Sequence, residues 1–236
     1  MTQIAVLNGS SRLANVDVTF LVEACAQQLY EFCERWNLDP WAIGFYASAA
    51  GLPADDIYLF EYVDQLDVDG ALAYHSTDAL GRPYGRMLPP GDKLDATDLS
   101  HEILETRGDP TCDRWMRMPG GSEVAVEVCD PVQGDSYAQE ATVLGETRQI
   151  KVSNYVLPAF FDVSATGLFD RLGNVKAPFG MSPGGYEAIL DAGGNEHDVF
   201  ARTAGTVPPH KLRDGAGRLM RRLRWARTGA KARVGM

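Results

Sequence analysis

The sequence predicts an α+β fold, and three observations predict it. Apolar residues recur at three- and four-residue steps across 16–36, a helical period. Short runs rich in aromatic and β-branched residues, bounded by Gly, Pro or Asp, follow over 41–77. The helical period then returns over 95–107. Together they describe a mixed β-sheet packed by a long N-terminal helix and a second, shorter helix. The C-terminal part is irregular and β-containing, and ends in a basic arm.

The elements follow in order. Residues 3–8 (QIAVLN) read as a strand and Gly9-Ser10-Ser11 as a turn. Val16, Phe20, Leu21, Ala24, Cys25, Leu29, Phe32, Cys33 and Trp36 form the apolar stripe of the first helix. Asn15 or Asp17 can cap its start, and Leu38-Asp39-Pro40 stops it. WAIGFYAS (41–48), IYLFEYVD (57–64) and ALAYHST (71–77) read as strands; RPYGRML (82–88) reads as another, interrupted by Pro83 and Gly85. Leu99, Ile103 and Leu104 mark one face of the second helix, with Asp95, Thr97 or Asp98 at its start and Gly108-Asp109-Pro110 at its end. SEVAVEVC (122–129) alternates as a strand does, and 147–161 reads as a strand followed by an irregular apolar segment. SPGGY (182–186) is a turn, and YEAIL with HDVFA reads as a small hairpin across Asp191–Gly194. The expected organisation is an α+β domain over 1–161, a turn-rich small β extension over 162–210, and a basic arm over 211–236.

Composition bounds the function. The chain has 236 residues, 45% of them apolar, enough for a sizeable core. No apolar run reaches the roughly 18–20 residues of a membrane helix. Met1-Thr2-Gln3 enters a short apolar run with no basic flank, so export by a signal peptide is not expected. The four cysteines (25, 33, 112, 129) form no Cys-x-x-Cys, which excludes a zinc ribbon or thioredoxin motif. No phosphate-binding loop and no Gly-x-Ser-x-Gly elbow occurs. The net charge of −10 is split. The arm holds nine basic residues and one acid, so it carries +8 against −18 for the rest. The body should repel polyanions, and the arm should attract them or an acidic protein surface.

The informative segment is DLSHEILETRGDPTCDRW, 98–115. On a helix His101 and Glu105 share a face one turn apart, and Glu102 is rotated by about 100°. This is the logic of the zinc helix in which two ligands stand at i and i+4 and an intervening Glu is the base. Here the second ligand is Glu, which zinc accepts. A third ligand is expected further along, from Asp130 or Glu127 at the end of EVAVEVCDP (123–131), with Asp130 leaving the strand just before a Pro turn. Asp109 can orient a ligand or serve the turn before Pro110. His75 ends a strand, where it either borders the cleft or is structural. Ser100 is a helix residue, and Trp115 and Tyr137 are packing residues.

Ser100-His101-Glu102-x-x-Glu105, Asp109-Pro110, Trp115 and Glu127-x-x-Asp130 together resemble a zincin-like pattern in a family of tailed-phage proteins, often encoded among virion structural genes. A similar string occurs in plant phosphate-induced (exordium-like) proteins. DGALAYH (69–75), VSNYVLPAFF (152–161) and SPGGY (182–186) also match the phage group, so the likeness covers roughly 55–190. It implies a metallopeptidase-like fold. His101, Glu105 and Asp130 take the positions of zinc ligands and Glu102 that of the base, with Asp109, Glu127 and His75 as candidates to orient a ligand or border the cleft. It implies a bacteriophage virion structural protein of head, neck or tail, assembled with other virion proteins in the host cytoplasm, its arm meeting acidic protein surfaces or DNA. The alternative is an active zinc-dependent peptidase.

Overall fold

The computed structural model describes residues 3–52, 57–68 and 70–201. The arm at 211–236 lies outside them, as does 202–210. The described chain is α+β, with two α-helices and three sheets.

The first sheet contains β1 (Gln3–Asn8), β2 (Ala42–Tyr46), β3 (Ile57–Tyr62), β4 (Ala73–Thr77) and β5 (Pro83–Met87). Its order is β2-β1-β3-β5-β4. β1 pairs in parallel with β2 and β3, and β3 in parallel with β5; β4 runs antiparallel to β5 and forms an edge. Period-two alternation sends Phe60, Tyr62, Ala73, His75 and Met87 to the inner face, all of them buried.

α1 (Asn15–Trp36) packs on that face. Phe20, Leu21, Ala24, Cys25, Leu29, Phe32 and Cys33 are almost fully buried, as the stripe requires, whereas Val16 is 54% exposed. Neither expected cap bonds the first turn. Ala14 holds the N-cap position without a side-chain bond, Asp17 meets Arg148 at 2.7 Å, and Asn15 Oδ1 accepts from Asn8 Nδ2. The helix ends at Asn37 in the left-handed region (φ 50°), which lets Asn37 and Leu38 bond back to the last carbonyls.

α2 (Thr97–Gly108) lies against α1 and under β4 and β5. Nine of its twelve residues are buried, the polar Ser100, His101, Glu102, Glu105 and Thr106 among them. A helix enclosed nearly all round while keeping acids and an imidazole must satisfy them internally. Ser100 is structural: its Oγ accepts from Ser153 N at 2.9 Å and donates to Thr97 O.

A four-stranded antiparallel sheet follows, β11-β10-β7-β6, from β6 (Trp115–Arg117), β7 (Glu123–Ala125), β10 (Tyr186–Leu190) and β11 (Glu196–Phe200). The strand expected over 122–129 is therefore short. Beyond Ala125 the chain continues irregularly to a 3-10 turn at Asp130–Val132. β8 (Ser136–Val143) and β9 (Glu146–Ser153) form a hairpin over α1 and beside α2. Gln28 of α1 ties them together by donating to Ser153 O at 2.6 Å. No helix among the described residues is long and apolar enough to cross a membrane.

Candidate metal centre

α2 sets the first three groups. One turn apart on the helix, His101 Nε2 and Glu105 Oε1 lie 2.9 Å from each other. The chain leaves β7, passes Glu127 and Val128, and turns at Asp130, whose Oδ1 lies 3.1 Å from the same Nε2. Two carboxylate oxygens, one from α2 and one from the Asp130 turn, therefore lie beside one buried imidazole nitrogen, and the three residues are those picked out in the sequence.

Asp130 is aimed by backbone. Val156 N donates to Val128 O at 2.7 Å, fixing the approach to the turn. SPGGY clamps the turn from the other side: Ser182 N donates to Pro131 O at 3.0 Å and Gln133 Nε2 to Gly184 O at 3.2 Å. The approach is so close that a Cβ on Gly185 would stand 2.1 Å from Pro131 O, and one on Gly134 2.5 Å from Pro183 O. Only glycine fits at such points.

His75 reaches the same pocket from β4. Its Nδ1 is 2.8 Å from Glu102 Oε2 and 3.6 Å from Glu105 Oε2, and its Nε2 is 3.8 Å from Glu127 Oε2. Burial opposes charge on this imidazole, but the Cys112 thiol, Glu102 and Glu127 outweigh it and hold its pKa well above the ordinary range. Glu127, 8% exposed, therefore points into the pocket rather than to solvent.

Cys112 is the residue the sequence reading missed. From the loop after α2 it helps to raise the pKa of His75, with its own backbone in the left-handed region (φ 53°). That conformation costs a non-glycine residue about 1–2 kcal/mol. Asp109 supports the loop: fully buried, it accepts from Arg114 N at 2.9 Å. Asp109 thus orders the backbone that presents Cys112. Cys129 is the second thiol of the site, its sulfur within 4.8 Å of donor atoms of His101 and Glu105. The four cysteines are buried and form no disulfide.

These buried His, Glu, Asp and Cys side chains could hold a metal ion. In tetrahedral coordination with bonds of about 2.0–2.1 Å, neighbouring ligand atoms stand about 3.3 Å apart. The 2.9 and 3.1 Å separations around His101 are a few tenths of an ångström short of that. Small side-chain movements would open the space. A cleft lined by Leu72, Ala73, Thr97, Asp98, His101, Glu102 and Gln133 lies beside the pocket. His101 and Glu102 thus face both the pocket and the cleft.

No family model, no curated protein and no solved structure matches this chain.

Proposed function

We propose that this chain is a zincin-like, zinc-dependent peptidase domain, with His101, Glu105 and Asp130 holding the ion and Glu102 acting as base. One observation carries the reading: buried Nε2 of His101, a residue that lines a cleft, lies within 3.1 Å of both Oε1 of Glu105 and Oδ1 of Asp130. One nitrogen and two carboxylate oxygens form a donor set that zinc accepts, and three protein ligands leave a position for substrate. When bound, the ion would polarise a peptide carbonyl and acidify water.

The protein's own groups do the rest. Glu102 lines the cleft beside His101 and takes the proton from water. His75 Nδ1, 2.8 Å from Glu102 Oε2, fixes that carboxylate. Glu127 and Cys112 in turn hold the His75 ring. β4 is an edge strand of the sheet and Leu72 and Ala73 line the cleft, so an extended peptide can add to that edge through its main chain. The zincin-like reading of the fold rests on the same place, an antiparallel edge strand running past the helix that carries His101 and Glu102.

The test is cleavage of a peptide library by the zinc-loaded chain. Glu102→Gln should lower the rate about 10²–10⁴-fold while the ion on His101 is kept. Equal activity of variant and parent, or failure of the parent to bind zinc, would overturn the assignment.

A second reading is favoured by the charge split of +8 against −18. On it the domain is a virion structural protein of head, neck or tail, its arm docked on acidic surfaces of other virion proteins or on packaged DNA. Co-purification with virions at fixed copy number, indifferent to chelator, would support it. Release of the protein by moderate salt with no virion association would remove it.

A further inference from the structure

Glu105 offers its two oxygens to two different imidazoles. Oε1 lies 2.9 Å from His101 Nε2, and Oε2 lies 3.6 Å from His75 Nδ1. The carboxylate is fully buried between them. Each imidazole has a further carboxylate oxygen beside the same nitrogen: Asp130 Oδ1 at 3.1 Å from His101 Nε2, and Glu102 Oε2 at 2.8 Å from His75 Nδ1. The pocket is therefore two nitrogen-and-oxygen sets joined by one carboxylate.

We propose that the pocket takes two divalent cations bridged by Glu105, one on His101, Asp130 and Glu105 Oε1, the other on His75 Nδ1, Glu102 Oε2 and Glu105 Oε2. The donor atoms of the second set all lie within 4.8 Å of one another. A carboxylate bridging through both oxygens matches the separation of about 3.5–4 Å found in two-metal sites.

Two features agree with this. His75 must ligate as a neutral ring, through Nδ1 with the proton on Nε2. Nε2 is the nitrogen that faces Glu127 Oε2, at 3.8 Å, the kind of outer carboxylate that sets a ligating histidine's tautomer. Charge also balances. Glu102, Glu105, Glu127 and Asp130, all buried, sum to −4 when ionised, and two divalent ions supply the matching positive charge.

The second ion goes beyond the single-ion reading and rests on it only for the first site. It also changes what Glu102 does. With one ion Glu102 is free to take a proton from water; with two, its Oε2 is a ligand. The one-ion and two-ion forms are thus different states of one pocket.

The experiment counts metal. The full chain is stripped with chelator, equilibrated with Zn²⁺ at fixed free concentration, and its zinc measured by atomic emission. Two ions per chain are expected for the parent and one for His75→Ala. Glu102→Gln should weaken the second ion at least 10-fold, and Glu105→Gln should weaken both. The isosteric Glu102→Gln decides the matter if His75→Ala fails to fold by circular dichroism. One zinc in the parent, unchanged in Glu102→Gln, ends this proposal and leaves the single-ion reading standing. Two ions retained by both variants also end it. No zinc in the parent ends both.

Discussion

Glu187 gives the sharpest test of the fold that holds the site. It lies on β10, opposite Val199 of β11, on the side of the strand that carries Ile189 into the core. It is 4% exposed, and its Oε1 has no hydrogen-bond partner among the described residues. Burial raises its pKa from the ordinary 4.5 to about 7. An acid whose folded pKa is raised loses stability as pH rises. Below 4.5 both folded and unfolded chains hold the proton, and there is no penalty. Between 4.5 and 7 the unfolded chain releases it while the folded chain keeps it, at about 1.4 kcal/mol per pH unit. Above 7 the loss levels off at about 3 kcal/mol, or about 6–12 °C in melting temperature for a chain of this length. Glu187→Gln keeps the shape and removes the titration. The buried amide adds a constant, pH-independent cost. Melting of both chains from pH 5 to 8.5 in chelator gives a difference curve from which the other titrations cancel. The variant should gain on the parent by about 3 kcal/mol across that range. A flat difference curve would refute the reasoning.

Three further outcomes follow from the geometry. Zinc at about 100 times the dissociation constant of the His101 site should stabilise the parent by about 2.7 kcal/mol through that site, and His101→Ala should remove that part of the shift in a melting assay with and without chelator. Gly185→Ala drives a Cβ against Pro131 O and should cost about 1–3 kcal/mol in urea unfolding, while also weakening zinc by displacing Asp130. Ser100→Ala strands the buried Ser153 N–H and should cost about 1–3 kcal/mol, with zinc stoichiometry unchanged.

Much of this architecture was legible in the sequence where a period was strong. The stripe of α1, the three apolar residues of α2, the short strands β2 to β4 and the hairpin β10–β11 appear where spacing and turn residues put them. β8 was not legible, because only Ala141 of SYAQEATV is fully buried and the strand lies as a largely polar cover. Val16 misleads because apolar residues can sit at helical spacing yet face solvent. At the site, His101, Glu105 and Asp130 were readable: two stand one turn apart and the third sits at a Pro turn. Cys112 was not, since its position depends on a left-handed backbone in a loop ordered by Asp109. His75 stood in between. Its strand was readable, but its meeting with Glu102 and Glu105 depends on where β4 enters the sheet, and no local pattern encodes that.

Stability alone gives no reason for such a pocket. Enclosing four carboxylates and two imidazoles is costly, and apolar residues of similar volume would be neutral or better for folding. The arrangement is nevertheless held from several directions by parts of the chain far apart in sequence. β4 brings His75, α2 brings three groups, and the Asp109 loop brings Cys112. SPGGY, more than fifty residues beyond Asp130, presses glycine backbone against the turn that aims it. Such a placement would serve ligation, since ligand atoms must converge to within a few tenths of an ångström. The close backbone support around Asp130 is what the ion proposed above would require of this turn.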